Sequence, residues 1–410
     1  MSNKKRVCML IPQLILPIPA VEGGAIETLI TNLLEENEKQ NKVRFVVISK
    51  YNREAAEKHY QNSKVYYFDD EQYVGQGKLL IRILWLLYKL FFHIVQNRIT
   101  YKLFGCNFHL VEYLTFQYLC IAKMEKVDFL SIEADENEYE LSAFNKLIGK
   151  RRVYNHIHYV RKENIASRKL ISNSICISKF VRKEWAKDSS IEGKNVVLYN
   201  GINLDAYNKD AISSNRDALR REYDISDKEI LVIYCGRIME VKGIKQLLDS
   251  FDYLVDYPVK LMMIGAAPVG DSHYEQFAND AIRRADKMKN VIYLGYVDNA
   301  VLPKYYTAAD IMIIPSICQE GAGLVAIEGM TAGIPLIVTE SGGMVEYVDN
   351  QCAIKIPIDD NLSSVLAEKI LLLANDKVKR EQMGKRGKER SKLFSKEKYY
   401  EDFVKIIEST

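Results

Sequence analysis

Apolar residues along the chain fall into short runs, mostly rich in Val and Ile, separated by stretches whose apolar positions recur with helical spacing. In the first half the runs are Val7–Pro12, Val43–Ser49, Val65–Phe68, Val127–Ile132, Val153–His158, Ser174–Ile177 and Val196–Leu198, and each reads as a strand buried on both faces. A polar stretch, Asn208 to Lys228, reads as a linker, and the rhythm then restarts with Glu229–Tyr234, Val259–Ile264, Val291–Leu294, Ile311–Ile314 and Pro335–Val338. Strands alternating with helices predict parallel sheets covered on both faces. The expected fold is therefore α/β, with two doubly wound Rossmann-like domains, 1–205 and 206–395. The segment Lys396–Glu408 carries Tyr399, Tyr400, Phe403, Ile406 and Ile407 at helical spacing, a stripe that needs a surface to cover. Residues 396–410 are expected to pack back on the first domain.

The stretch Leu79 to Arg98 is apolar around most of a helix, with Arg82, Lys89, His93 and Asn97 forming one narrow polar stripe. Those charges argue against a membrane span. Two readings stay open: a core helix packed through Trp85, Phe91 and Phe92, or a helix lying in the interface of an anionic membrane, flanked by Lys78, Arg82, Lys89, Arg98 and Lys102.

Composition adds exclusions. Apolar residues at 48% and charged residues at 27% are those of a globular protein, and Lys plus Arg exceed Asp plus Glu by only 57 − 54, a net +3, so no nucleic-acid partner is expected. The seven cysteines include no C-x-x-C pair and sit mostly in apolar runs, and no secretion signal is legible before Glu22. A reducing, cytoplasmic location is expected, with peripheral contact at the cytoplasmic membrane face if the second reading of Leu79–Arg98 holds.

Doubly wound sheets bind ligands beyond the carboxyl ends of their strands. After the strand ending at Tyr234 comes Gly236-Arg237-Ile238-Met239-Glu240-Val241-Lys242-Gly243, two cations between glycines at a strand-to-helix turn, suited to phosphate. After the strand ending at Ile314, Glu320 precedes the amides of Gly321, Ala322, Gly323 and Leu324, and Glu328 follows inside the next helix. Carboxylates can accept ribose or hexose hydroxyls while amides take phosphate, so both glutamates are expected to face one ligand.

These motifs, with Gly23-Gly24 before the helix Ala25–Glu36, Tyr199-Asn200-Gly201-Ile202, and Ser341-Gly342-Gly343, occur in an order that resembles the retaining glycosyltransferases of family 4, over nearly the whole chain. The resemblance implies the GT-B fold, with the two sheets facing across a cleft. It also implies a nucleotide-sugar donor, UDP-linked by default, and a glycan or lipid-linked glycan acceptor in cell-surface polysaccharide synthesis. By that resemblance Arg237 and Lys242 bind the donor diphosphate, Glu328 the ribose and Glu320 the donor sugar. Gly236 and the amides of Gly321 to Leu324 complete the donor cradle, the nucleobase lies near Tyr296 and Val297, and Gly23 and Gly24 close over donor phosphate or acceptor. His158, at the end of Val153–His158, is the expected contact to donor sugar or acceptor. Metal binding by His156 and His158 is not expected, because no third ligand is legible nearby. Asp-x-Asp is absent, so no metal cofactor is expected and the cations neutralise the leaving group.

The chain has Ala322 and Gly329 where the family usually has Phe and Ala, departures expected to alter packing around the donor sugar. A nucleotide-sugar epimerase on the same fold, or a catalytically silent partner subunit, are the rival classes.

Overall fold

The computed structural model describes residues 4–11, 16–22, 24–69, 72–95, 113–133, 144–159, 173–187, 193–207, 216–267 and 272–410. The chain divides into two compact units, one of Met1–Ile177, Val181–Leu198 and Tyr399–Thr410, the other of Ser178–Phe180 and Tyr199–Lys398.

The first unit holds an eight-stranded sheet built from β1 (Arg6–Leu10), β2 (Arg44–Lys50), β3 (Ser63–Asp69), β4 (Gln72–Tyr73), β5 (Phe129–Glu133), β6 (Val153–Ile157), β7 (Asn173–Cys176) and β8 (Asn195–Val197). Its order is β4-β3-β2-β1-β5-β6-β7-β8, parallel throughout except for β4 on β3. Alternate strand residues Val7, Met9, Phe45, Val47, Phe129, Tyr154 and Ile175 share one core with Leu29, Ile30, Leu33 and Leu34 of the helix Ala25–Gln40. The helix Lys396–Glu408 adds Tyr399, Tyr400, Phe403, Val404 and Ile407 to that core. Phe403 stacks 6.1 Å from Phe45, and the Tyr400 hydroxyl donates to Asn37 Oδ1 at 2.6 Å, so the helix supplies both apolar area and a buried polar partner.

The second unit holds β9 (Ile230–Cys235), β10 (Val259–Ile264), β11 (Val291–Gly295), β12 (Ile311–Ile314), β13 (Leu336–Thr339) and β14 (Ala353–Ile356), all parallel, in the order β11-β10-β9-β12-β13-β14. Odd and even strand positions part into two cores. Leu231, Ile233, Met262, Met312 and Leu336 pack with Ala326, Ile327 and Met330 of the helix Leu324–Thr331. On the other face, Val232, Leu261, Met263, Ile311 and Ile313 pack with Ile244, Leu247, Leu248 and Phe251 of the helix Ile244–Asp252. In both sheets the order reverses beside the first strand of the unit, between β1 and β5 and between β9 and β12, which opens a crevice for ligands at those strand ends.

Three readings of the sequence need correction or completion. The edge strands Gln72–Tyr73 and Ala353–Ile356 are missing from the predicted runs, the first being two residues long and the second four residues interrupted by Lys355. The stretch 208–228 is not open linker over its described part: Arg216–Glu222 is a helix whose Arg216 and Arg220 pair with Asp310 at 2.6 and 3.0 Å. Arg220 is buried in that network, and buried charges that are mutually paired look like surface in a linear sequence. In the helix Lys78–Val95, Ile81 is buried and Trp85 packs 5.2 Å from Phe116, while Leu79, Leu80, Ile83, Leu84, Leu86 and Leu87 are exposed. Over 78–87 the core reading therefore holds for one stripe only. The side chains of 88–95, with Lys89, Phe91, Phe92 and His93, and residues 96–98 of the predicted segment lie outside what is described, and no described helix is long and apolar enough to cross a membrane.

Candidate functional site

In the second unit the loops after β9 and β12 interlock. Gly243 has φ 71°, and a Cβ there would lie 2.0 Å from the Pro315 carbonyl oxygen, so only glycine lets the two loops touch. The Ile317 amide donates to the Val241 carbonyl at 3.0 Å. This contact brings Lys242 to Glu320: Nζ lies 2.5 Å from Oε1, and Ser316 Oγ donates to the same oxygen at 2.6 Å. The loop after β13 closes the arrangement from behind. Ser341 Oγ accepts from the Glu320 amide at 3.1 Å, the Gly343 amide donates to the Glu320 carbonyl at 2.6 Å, and a Cβ on Gly342 would lie 2.3 Å from that carbonyl oxygen. Glu320 is thus fixed by three loops and keeps its second carboxylate oxygen for a ligand.

The two cations differ. Lys242 is held by Glu320, whereas Arg237 is exposed and its guanidinium makes no ion pair among the described residues. The Gly236 amide is occupied, donating to Ile264 at 3.0 Å, so this glycine shapes the loop. The amides of Gly321, Ala322, Gly323 and Leu324 donate to no protein acceptor among the described residues, and they stand at the N-terminus of the helix Leu324–Thr331, which favours an anion.

Glu328 does not meet Glu320 through any direct contact. It accepts from the Tyr306 hydroxyl at 2.7 Å and lies beside Tyr207, whose ring stacks 5.6 Å from Tyr306. Burial pushes its carboxyl up to about 7, partly offset by those two hydroxyls. Tyr296 is well exposed just past β11, and Val297 is half-buried against the core. Ala322 also packs partly against that core. Gly329 corrects an expectation: a Cβ there would lie 2.5 Å from Met312 Sδ and 2.8 Å from a Leu336 methyl, so this glycine lets its helix seat on β12 and β13 and does not shape the site.

In the first unit, Gly24 has φ 93° and the Glu27 carboxylate folds over it; burial raises the Glu27 carboxyl. Gly23 lies outside the described residues. His158 follows β6 and its Nε2 is 2.9 Å from Glu133 Oε2, at the end of β5; His156 Nδ1 is also 2.9 Å from that oxygen. Burial, then the neighbouring His156, lowers His158 to about 4, so the ring is neutral near pH 7. Burial alone would raise Glu133, but the two imidazoles hold it well below the usual carboxylate range. The stated ground against a metal here, the lack of a third ligand, is overturned by Glu133.

Sequence reasoning gave no role to Ser316, Ser341, Tyr207, Tyr306 or Glu133. The two serines stand within motifs already singled out; the tyrosines and Glu133 carry no local signal, since only the sheet register brings Glu133 beside His156.

Solved structures of the same architecture exist. HepE of Anabaena, solved in complex with UDP and glucose, superposes with a TM-score of 0.70 at 17% identity over 100% of both chains. The fold is GT-B, two Rossmann-like units. An uncharacterised glycosyltransferase of Methanocaldococcus jannaschii is 29% identical over 179 residues, 43% of this chain and 44% of the relative. The capsular polysaccharide biosynthesis glycosyltransferase CapM of Staphylococcus aureus is 28% identical over 214 residues, 52% of this chain and 53% of the relative. The chain spans about half the length of the curated relatives it matches. Residues 215–390, which hold Arg237, Lys242, Glu320 and Glu328, match the family model of the glycosyl transferases group 1.

Proposed function

We propose that the protein is a retaining glycosyltransferase of family 4 that moves a sugar from a nucleotide sugar to a glycan acceptor. The observation that carries this is the Lys242–Glu320–Ser316 cluster set before the unpartnered amides of the helix Leu324–Thr331. Those amides and the exposed Arg237 bind the diphosphate, Glu320 the sugar hydroxyls and Glu328 the ribose. As the bond from the anomeric carbon to the phosphate oxygen breaks, negative charge grows on the diphosphate, and Arg237 and Lys242 stabilise it without a metal. The acceptor oxygen bonds to the same face of the anomeric carbon, and its proton passes to the departing phosphate. Neutral His158 contacts donor sugar or acceptor.

UDP is the proposed nucleotide, supported by the fold shared with HepE, and cell-surface polysaccharide is the proposed product class, supported by the likeness to CapM. A cytoplasmic protein that visits an anionic membrane is supported by the exposed leucines and isoleucine of the helix Lys78–Val95 beside Lys78 and Arg82. Incubation with UDP-, GDP- and ADP-sugars, with and without lipid-linked acceptors, tests the activity: release of UDP that depends on acceptor is expected, and no release of any nucleotide overturns it. Flotation with anionic liposomes at low salt tests the membrane contact, which fails if the protein stays in the soluble fraction.

A further inference from the structure

Glu133, His156 and His158 bring a carboxylate oxygen and two ring nitrogens to within 4.8 Å of one another. Ser131 Oγ donates to Glu133 Oε1 at 2.6 Å, which leaves Oε2 to face both rings at 2.9 Å. His156 is fully buried, and neither of its ring nitrogens makes a hydrogen bond, because the carboxylate lies off the direction in which a ring N–H donates. A buried polar group without a partner is rare in a native interior and points to a missing ligand.

At His156 the off-axis placement distinguishes a cation from a proton, while His158 Nε2 is in hydrogen-bonding geometry with the same oxygen at 2.9 Å. A hydrogen bond between Nδ1 and Oε2 needs the proton close to the line joining them. Two ligand atoms each ~2 Å from one zinc-class ion and 2.9 Å apart put that ion about 45° off the line joining them, so an off-line nitrogen is compatible with a shared ion. We infer that Glu133 Oε2, His156 Nδ1 and His158 Nε2 form a three-ligand site for a zinc-class divalent cation. Two imidazoles and one carboxylate are a donor set suited to zinc, and Ser131 fixes the orientation of the ligating carboxylate. His158 is the most exposed of the three, so the fourth coordination position lies on its side.

A cation bound there occupies His158 Nε2 and takes the ring away from donor sugar or acceptor, so zinc inhibits turnover. The inhibition rests on the glycosyl-transfer reading; the binding does not. The full chain, stripped with EDTA, is titrated with zinc against a chromophoric chelator and with cobalt(II) for visible absorption. One zinc per chain and a tetrahedral cobalt spectrum are expected. Glu133→Gln and His156→Gln are each expected to weaken binding at least about tenfold. Melting curves confirm folding, and the near-isosteric Glu133→Gln carries the test if His156→Gln does not fold. Zinc held equally by wild type and Glu133→Gln, as by the cysteines, overturns the site. Zinc bound at the site without effect on nucleotide release keeps the site and removes His158 from the reaction. Zinc bound while no donor is ever turned over defeats the glycosyl-transfer reading alone.

Discussion

In the second unit the charged groups at the strand ends, Lys242, Glu320 and Glu328, stay partly open, each fixed by neighbours yet with capacity to spare for a ligand. In the first unit Glu133, His156 and His158 are sealed almost completely, and they face one another, with Ser131 on the second carboxylate oxygen. Both clusters sit beside the reversal of a doubly wound sheet. The difference lies in how the charge is made tolerable. Lys242 neutralises Glu320 within one interlocked pair of loops, an arrangement a diphosphate can enter by competing for the lysine. Glu133 is instead buried against two imidazoles that share one of its oxygens, an arrangement that a cation can also satisfy. The units also differ in completion: both cores of the second form within Tyr199–Lys398, while the first takes five core side chains from the helix Lys396–Glu408.

That last contrast gives the largest expected effect. Phe403→Ala alone should lower the stability of the first unit by about 3–5 kcal/mol, and deleting 396–410 by more, with the second unit's melting transition little moved. Calorimetry checks it; unchanged melting of both units after the deletion would break the contrast.

Next are Glu320→Ala and Lys242→Ala, each expected to lower turnover by about 10²–10³-fold with the fold intact, because each removes a preorganised charge from the reacting complex. Near-normal nucleotide release by either purified variant removes that residue from the site.

Gly329→Ala separates packing from chemistry. It should destabilise the second unit by about 1–3 kcal/mol through the clash with Met312 and Leu336, while the Michaelis constant for donor stays put. A changed donor constant with unchanged stability would return Gly329 to the site.

Glu328 sharpens the comparison through pH. Its carboxyl is raised from 4.5 to about 7, so between those values the folded unit holds a proton that the unfolded chain has released. Stability therefore falls as pH rises across that window, and Glu328→Gln should remove the slope. Ribose hydroxyls need the ionised carboxylate, so donor affinity should weaken as pH drops below about 7, by roughly tenfold per unit at most, and be flat in the variant. A flat profile in the wild type would count against the ribose role.

The smallest expected effect is none: excess EDTA should leave turnover intact, and loss restored by magnesium or manganese would overturn diphosphate neutralisation by Arg237 and Lys242.

Local pattern was enough for the periodic elements and for the glycine-bounded motifs. The helix Lys396–Glu408 and the strand Val259–Ile264 follow from spacing alone, and Gly236 to Gly243 and Glu320 to Glu328 are contiguous, so their residue types announce themselves. Tertiary structure decided what depends on register and on loops meeting across strands. Glu133 reaches His156 because β5 and β6 pair in parallel with those residues opposite each other, 23 positions apart in sequence, as 156 − 133 shows. Lys242 reaches Glu320 because Gly243 passes under Pro315. Arg220 and Asp310 are buried by each other, and Gly329 faces a methionine and a leucine from other elements. Hydrophobic periodicity reports which side of one element is buried, a property of neighbours within a few residues. The partner of a buried charge, or the atom that forbids a Cβ, is set by chain folding between distant positions, and no local period carries it.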